Sequence, residues 1–156
     1  MIKTSEILKK CNEWRKSSKT LVFTNGCFDL LHKGHLDLLN ASSKFGDILL
    51  VGLNSDKSIK ILKGFERPIE SQNKRLKNLL KLNIVSDAFI FEDQTPIKLI
   101  NLIKPDVIVK GGDYKPQDIV GAKEVEGWGG KVKIVNLTPG FSTTLSIKKN
   151  KREGLV

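Results

Sequence analysis

Five short runs rich in β-branched and aromatic residues recur along the chain, and helical spacing of apolar residues fills the gaps between them. The runs are 19–24, leading into Asn25-Gly26, then 47–53, 87–91, 106–110 and 131–137. The first four are largely apolar runs, as expected of strands covered on both faces. Helices are predicted over 4–16, 33–45, 71–83 and 96–103, a helix or turn over 117–126, and a last helix from Thr143 to about residue 150. Gly46 fits the stop of the second helix, and Pro96 suits the first turn of the fourth. Strands alternating with helices predict a doubly wound, Rossmann-like α/β fold with a parallel five-stranded sheet. The 156 residues suit one domain: an N-terminal helix within 1–18, a core over 19–150 and a tail from Lys151.

Folds of this class bind ligands outside the carboxyl ends of their strands. Three polar loops follow predicted strands and so share that edge: 24–35, 110–115 and 138–144. The first contains both histidines of the protein, in His32-Lys33-Gly34-His35. If a helix starts near Lys33, both imidazoles face the mouth of the sheet, beside free N–H groups and the positive end of the helix dipole. Gly34 lets a phosphate chain approach the backbone, and Asn25-Gly26 supplies a turn out of the strand. Taken alone, the string also fits a helix cap at His32 and a surface residue at His35. Its position between a buried strand and a helix favours phosphoryl transfer, in which fixed donors stabilise charge on phosphate oxygens without a protein nucleophile.

This segment resembles the signature of the His-x-Gly-His nucleotidyltransferase superfamily. Residues Phe23 to His32 are most similar to the adenylyltransferases that make ADP-heptose from heptose 1-phosphate, and the likeness extends from about Lys19 to about Lys149. The resemblance implies that His32 and His35 bind the triphosphate of ATP and stabilise the transition state. It implies nucleotide contacts at Thr24, Asn25, Gly26, Cys27, Phe28 and Gly34, and at Gly111 and Asp113 in the Val109–Tyr114 segment. Phe141-Ser142-Thr143-Thr144 resembles the superfamily's second signature, with Ser142, Thr143 and Thr144 cradling phosphates; a plain helix cap is the alternative. Where some members carry a basic residue, this chain has Leu145 and Ser146, with Lys148 or Lys149 as substitutes. Lys63, Arg67, Arg75 and Lys110 are candidate phosphate contacts, since a guanidinium can grip a phosphate with two parallel hydrogen bonds. Asp29 either holds Mg²⁺ or braces its loop. Trp128 reads as a packing residue beside a turn.

The formal charge of +10 fits either nucleic acid or small polyanions such as nucleotides and sugar phosphates. Aromatic residues make up 6% of the chain, too few for a base-stacking surface, so a non-catalytic nucleic-acid module is the weaker alternative. A cytidylyltransferase acting on glycerol 3-phosphate is another. Two cysteines, Cys11 and Cys27, and two histidines make neither a disulfide scaffold nor a zinc site, and no protein metal site is expected beyond Mg²⁺ accompanying ATP. No apolar run approaches the roughly 18 residues of a membrane span, and a cytosolic enzyme is expected. By the resemblance, its product feeds cell-surface polysaccharide such as lipopolysaccharide, a separate heptose kinase supplies its substrate, and a homodimer is possible.

Overall fold

A computed structural model of the chain describes residues 4–137. The elements run α1 (Thr4–Lys16), β1 (Leu21–Gly26), α2 (Lys33–Ser43), β2 (Ile48–Asn54), α3 (Asp56–Lys63), α4 (Gln72–Leu80), β3 (Asp87–Phe91), α5 (Ile97–Ile103), β4 (Val107–Gly111), a 3₁₀ turn (Pro116–Asp118), α6 (Ala122–Gly127) and β5 (Lys131–Val135). All strand pairings are parallel, in the order β3-β2-β1-β4-β5. The chain winds outward from β1 to β3, then returns to place β4 on the other side of β1. The strand order therefore reverses between β1 and β4, which locates the expected ligand crevice there. Ser142, Thr143, Thr144 and the predicted last helix lie outside the described residues.

Side chains alternate across each strand, and the core divides accordingly. On one face Val22, Leu49, Val51 and Leu53 pack with Leu39 of α2 and Leu79 of α4. On the other, Leu21, Phe23, Leu50 and Ile108 pack with Ile7 and Cys11 of α1, Ile100 and Ile103 of α5, and Val125 of α6. Trp128 packs at this second cluster, its indole N–H donating to the Pro105 carbonyl at 2.9 Å.

Three local expectations change. Helix α3 was not predicted, because only Ser58 and Ile59 of its eight residues are buried and its lysines mask the apolar pattern; Ser55 caps it, accepting from Ser58 N–H. Gly46 is not a left-handed helix stop, since α2 ends with Lys44 in right-handed geometry. A Cβ at Gly46 would lie 2.7 Å from Val22 Cγ2 and 2.9 Å from the Thr20 carbonyl oxygen, so the glycine admits the start of β1. The exit from β1 does not turn at Asn25-Gly26 either: Phe28 and Leu30 adopt positive φ of 49° and 51°. Left-handed geometry costs a non-glycine residue about 1–2 kcal/mol, and here it falls in the loop that leads to His32 and His35.

Candidate active site

The loop between β1 and α2 is held open by long-range bonds. Asp29 is fully buried and accepts from the N–H groups of Ile69 (2.8 Å) and Glu70 (2.9 Å). Glu70 reciprocates by accepting from Leu30 N–H at 2.9 Å, and Arg67 Nε lies 3.6 Å from Asp29 Oδ2. Arg75 is also fully buried. Its Nη1 donates to the carbonyls of Cys27 and Asn54, both at 2.8 Å, its Nε to Glu70 O at 3.0 Å, and its Nη2 to Asp56 Oδ1 at 2.8 Å. One guanidinium thus ties the loop after β1, the loop after β2 and the turn before α4 into a single rim.

On that rim His32 and His35 cap α2 reciprocally. His32 Nδ1 accepts from His35 N–H and His35 Nδ1 accepts from His32 N–H, both at 3.3 Å. The cap and the phosphate donor are therefore not competing roles. With Nδ1 an acceptor in each neutral ring, the proton resides on Nε2, so each ring has a donor at its far end. The rings stack with centroids 3.7 Å apart, and Phe28 supports His35 at 5.3 Å. Burial lowers the pKa of His32. Burial also lowers that of His35 to about 4, assisted by His32 and Lys63 and opposed by Asp29. His35 is accordingly neutral at pH 7.

Across the end of β1 from α2, a cavity of about 460 Å³ opens on the side of α5 and the 3₁₀ turn. Its lining includes the buried apolar residues Phe23, Ile100 and Ile108 and the polar residues Asn25, Cys27, Lys63 and Lys110. Burial lowers the pKa of Lys110; Cys27 opposes the shift and Lys63 adds to it. The Lys110 ammonium sits 5.5 Å from the centre of the Tyr114 ring. Lys63 thus acts electrostatically on both His35 and Lys110, and it lines the cavity itself.

The predicted residues separate into two groups. His32, His35, Asn25, Gly26, Cys27, Lys63 and Lys110 gather at the carboxyl edge of β1 and β4. Others are built into the scaffold. Thr24 is buried, its hydroxyl donating to Val109 O at 2.9 Å and bridging β1 to β4, so it does not present itself to a nucleotide. Phe28 is in the core beneath His35, and Gly34 is buried in the first turn of α2. Gly111 faces Leu38 and Leu137, where a Cβ would lie 3.2 and 3.0 Å from their methyls, while Asp113 is exposed. The Arg75 donors are engaged inside the protein rather than presented to a phosphate, whereas Arg67 lies 3.6 Å from Asp29 with its buried Nε and Nη2 making no hydrogen bond among the described residues. Asp29 braces the loop: its oxygens accept two backbone N–H groups beside Arg67. Sequence reasoning missed Gln94, Thr95 and Asp118 in the cavity wall; the signal lay in the positions of their loops, after β3 and β4.

Among the described residues no helix is long and apolar enough to cross a membrane. A family model described as Cytidylyltransferase-like matches residues 23–150. The chain is 48% identical over 149 residues to the bifunctional protein HldE of Koribacter versatilis, covering 96% of this chain and 31% of that protein. It is 50% identical over 131 residues to the bifunctional protein HldE of Geotalea uraniireducens, covering 84% and 27%. The chain thus spans about three-tenths of the length of these curated relatives. The crystal structure of the lipopolysaccharide core biosynthesis protein from Thermoplasma volcanium is similar with a TM-score of 0.61 and 32% identity, over 77% of this chain and 97% of that one.

Proposed function

Because the chain belongs to the cytidylyltransferase-like family of nucleotidyltransferases, we propose that it is an adenylyltransferase converting ATP and heptose 1-phosphate to ADP-heptose and pyrophosphate. The observation that carries this reading is the reciprocal cap of His32 and His35. It fixes Nε2–H as the N–H of each neutral ring at the edge where β1 ends, near a cavity lined by two lysines. In the proposed reaction an oxygen of the acceptor phosphate attacks the α-phosphorus of ATP in line. The bond from that phosphorus to the bridging oxygen breaks, and pyrophosphate leaves with the electron pair. The imidazole N–H groups stabilise the charge gathering on the phosphate oxygens. Lys63 and Lys110 neutralise the acceptor phosphate in the cavity, and Asn25 and Cys27 lie between the two substrates.

Mg²⁺ supplies further charge neutralisation in reactions of this type. Asp29 does not offer it a ligand, so its place is on the phosphates of ATP itself, and no step above runs through it. Ser142, Thr143 and Thr144 are proposed phosphate contacts on their sequence pattern alone. The relatives named bifunctional are about three times longer than their matched segment. In them the segment shares its chain with other sequence, unlike the arrangement expected with a separate kinase. A sugar kinase activity remains the proposed source of the acceptor, and cytosolic synthesis of ADP-heptose for cell-surface polysaccharide the proposed setting.

Pyrophosphate release measured with ATP and CTP, each against heptose 1-phosphate and glycerol 3-phosphate, tests the proposal. Turnover is expected with ATP and heptose 1-phosphate. Preference for CTP with glycerol 3-phosphate would transfer the chain to the other branch of the family, and silence with every pair would remove the activity altogether.

A further inference from the structure

The cavity has two chemically different parts. Asn25, Lys63 and Lys110 belong to the ends of β1, α3 and β4. Gln94 and Thr95 come from the connection between β3 and α5, and Asp118 from the end of the 3₁₀ turn. All three of the latter are exposed, and among the described residues none of their side chains takes part in a hydrogen bond that braces the protein. This contrasts with Arg75, Asp29 and Thr24, whose polar atoms are consumed by the scaffold.

An amide, a hydroxyl and a carboxylate lining one cavity form a mixed set of donors and acceptors. Such a set does not suit a phosphate, which Asp118 would repel. Nor does it suit an apolar group, which would leave all three without partners once water is expelled. It suits neutral alcohols, each of which donates one proton and accepts others. The lysines attract the anionic end of an acceptor to themselves, and the charge of Asp118 repels that end and so favours the same orientation. Phe23, Ile100 and Ile108 line the same cavity and offer apolar surface for a ring. A volume of about 460 Å³ falls in the range of cavities that enclose a whole small ligand, roughly 300–1,000 Å³.

We propose that Gln94, Thr95 and Asp118 are specificity-determining residues that read hydroxyl groups at the end of the acceptor remote from its phosphate. The site thereby selects a polyhydroxylated sugar phosphate over a short alcohol phosphate. This inference rests on the proposed adenylyltransferase reaction for its acceptor but assigns a role to a wall that the reaction itself does not use. Such residues discriminate against ligands that lack the hydroxyl they bond to the extent that a bound ligand shields them from water.

Asp118→Asn and Thr95→Val in the full chain test it, with pyrophosphate release under saturating ATP and calorimetric titration of heptose 1-phosphate as the two readouts. The wild type is expected to favour heptose 1-phosphate over glycerol 3-phosphate. Each substitution should raise the KM for heptose 1-phosphate, and weaken its calorimetric binding, by about 10- to 100-fold for Asp118 and less for Thr95. The KM for ATP, the melting temperature and the weak use of glycerol 3-phosphate should stay unchanged. Unaltered KM and binding of heptose 1-phosphate in both variants would overturn the role of the wall while leaving the reaction standing. A wild type that binds heptose 1-phosphate through these residues but never turns over would overturn the reaction while leaving the wall. A wild type that neither binds nor turns over the sugar would overturn both.

Discussion

Replacing Arg75 by Met removes every donor of the buried clamp while keeping the length of the stem. Four acceptors lose a partner: the carbonyls of Cys27, Asn54 and Glu70, and Oδ1 of Asp56. They are not equally vulnerable. The Asp56 side chain is 34% exposed and recovers water readily, whereas Asn54 is 5% exposed and its carbonyl is stranded. An unsatisfied buried acceptor costs about 1–3 kcal/mol, and removing one member of a buried charged pair about 3–5 kcal/mol. Since Asp56 is rehydrated, the total belongs near the lower end, about 3 kcal/mol. For a chain of this length that amounts to roughly 6–12 °C in melting temperature. Scanning calorimetry with urea titration measures it, and Arg75→Lys should recover only a fraction, because one ammonium cannot reach four acceptors on three segments. A phosphate-gripping Arg75 predicts the reverse: an unchanged melting temperature and a KM raised for a phosphorylated substrate. That pair of results for Arg75→Met would refute the clamp.

Three further outcomes are expected. His32→Ala and His35→Ala should each lower kcat by about 100- to 1,000-fold in the pyrophosphate assay, with a loss of about 1 kcal/mol from the broken cap; a variant near the wild-type rate would exclude that ring from the transition state. The folded pKa of His35, about 4, lies below its ordinary 6.5, so on acidification the unfolded chain takes up the proton first. Stability should fall between pH 6.5 and 4, by about 1–2 kcal/mol after allowing for screening at a half-buried ring, and urea midpoints should show a shallower fall in His35→Gln. Lys63 lowers the pKa of His35, so Lys63→Met should raise it in an NMR titration of the ring protons, and an unmoved resonance would separate the lysine from the histidine pair.

What was legible in the sequence was whatever a local pattern carries. The strand at 87–91 coincides with β3, and the histidine string falls at the junction of β1 and α2, because buried strands are runs of one chemical character and a helix start has a fixed periodicity. The clamp was not legible. Arg75 meets Cys27 across 48 residues and Asp29 meets Ile69 across 40, and in sequence a structural arginine is indistinguishable from one that binds phosphate. Positive φ at Phe28 and Leu30 was hidden for a related reason: neither residue type favours that geometry, and it is imposed by the bonds that Asp29 and Glu70 make at long range. Gln94, Thr95 and Asp118 belong to no motif, although the sheet order makes their loops neighbours of the crevice.

The neutrality of the histidine pair follows from its geometry. Two unit charges about 4 Å apart repel by about 4 kcal/mol at an effective dielectric of 20, and the stacked rings lie 3.7 Å apart. Both rings cannot be cationic without a counter-charge between them. Protonation at Nδ1 would also displace the N–H groups that cap α2, so a proton taken up there costs both repulsion and the helix start. The pair therefore contributes directed N–H donors without contributing charge. Positive charge must come from side chains that do not hold the fold together, and Lys63 and Lys110 in the cavity lining are so placed, whereas the donors of Arg75 are spent on the loops. Direction from the imidazoles and charge from the lysines are thus supplied by different elements, and a substitution in one set should leave the contribution of the other measurable.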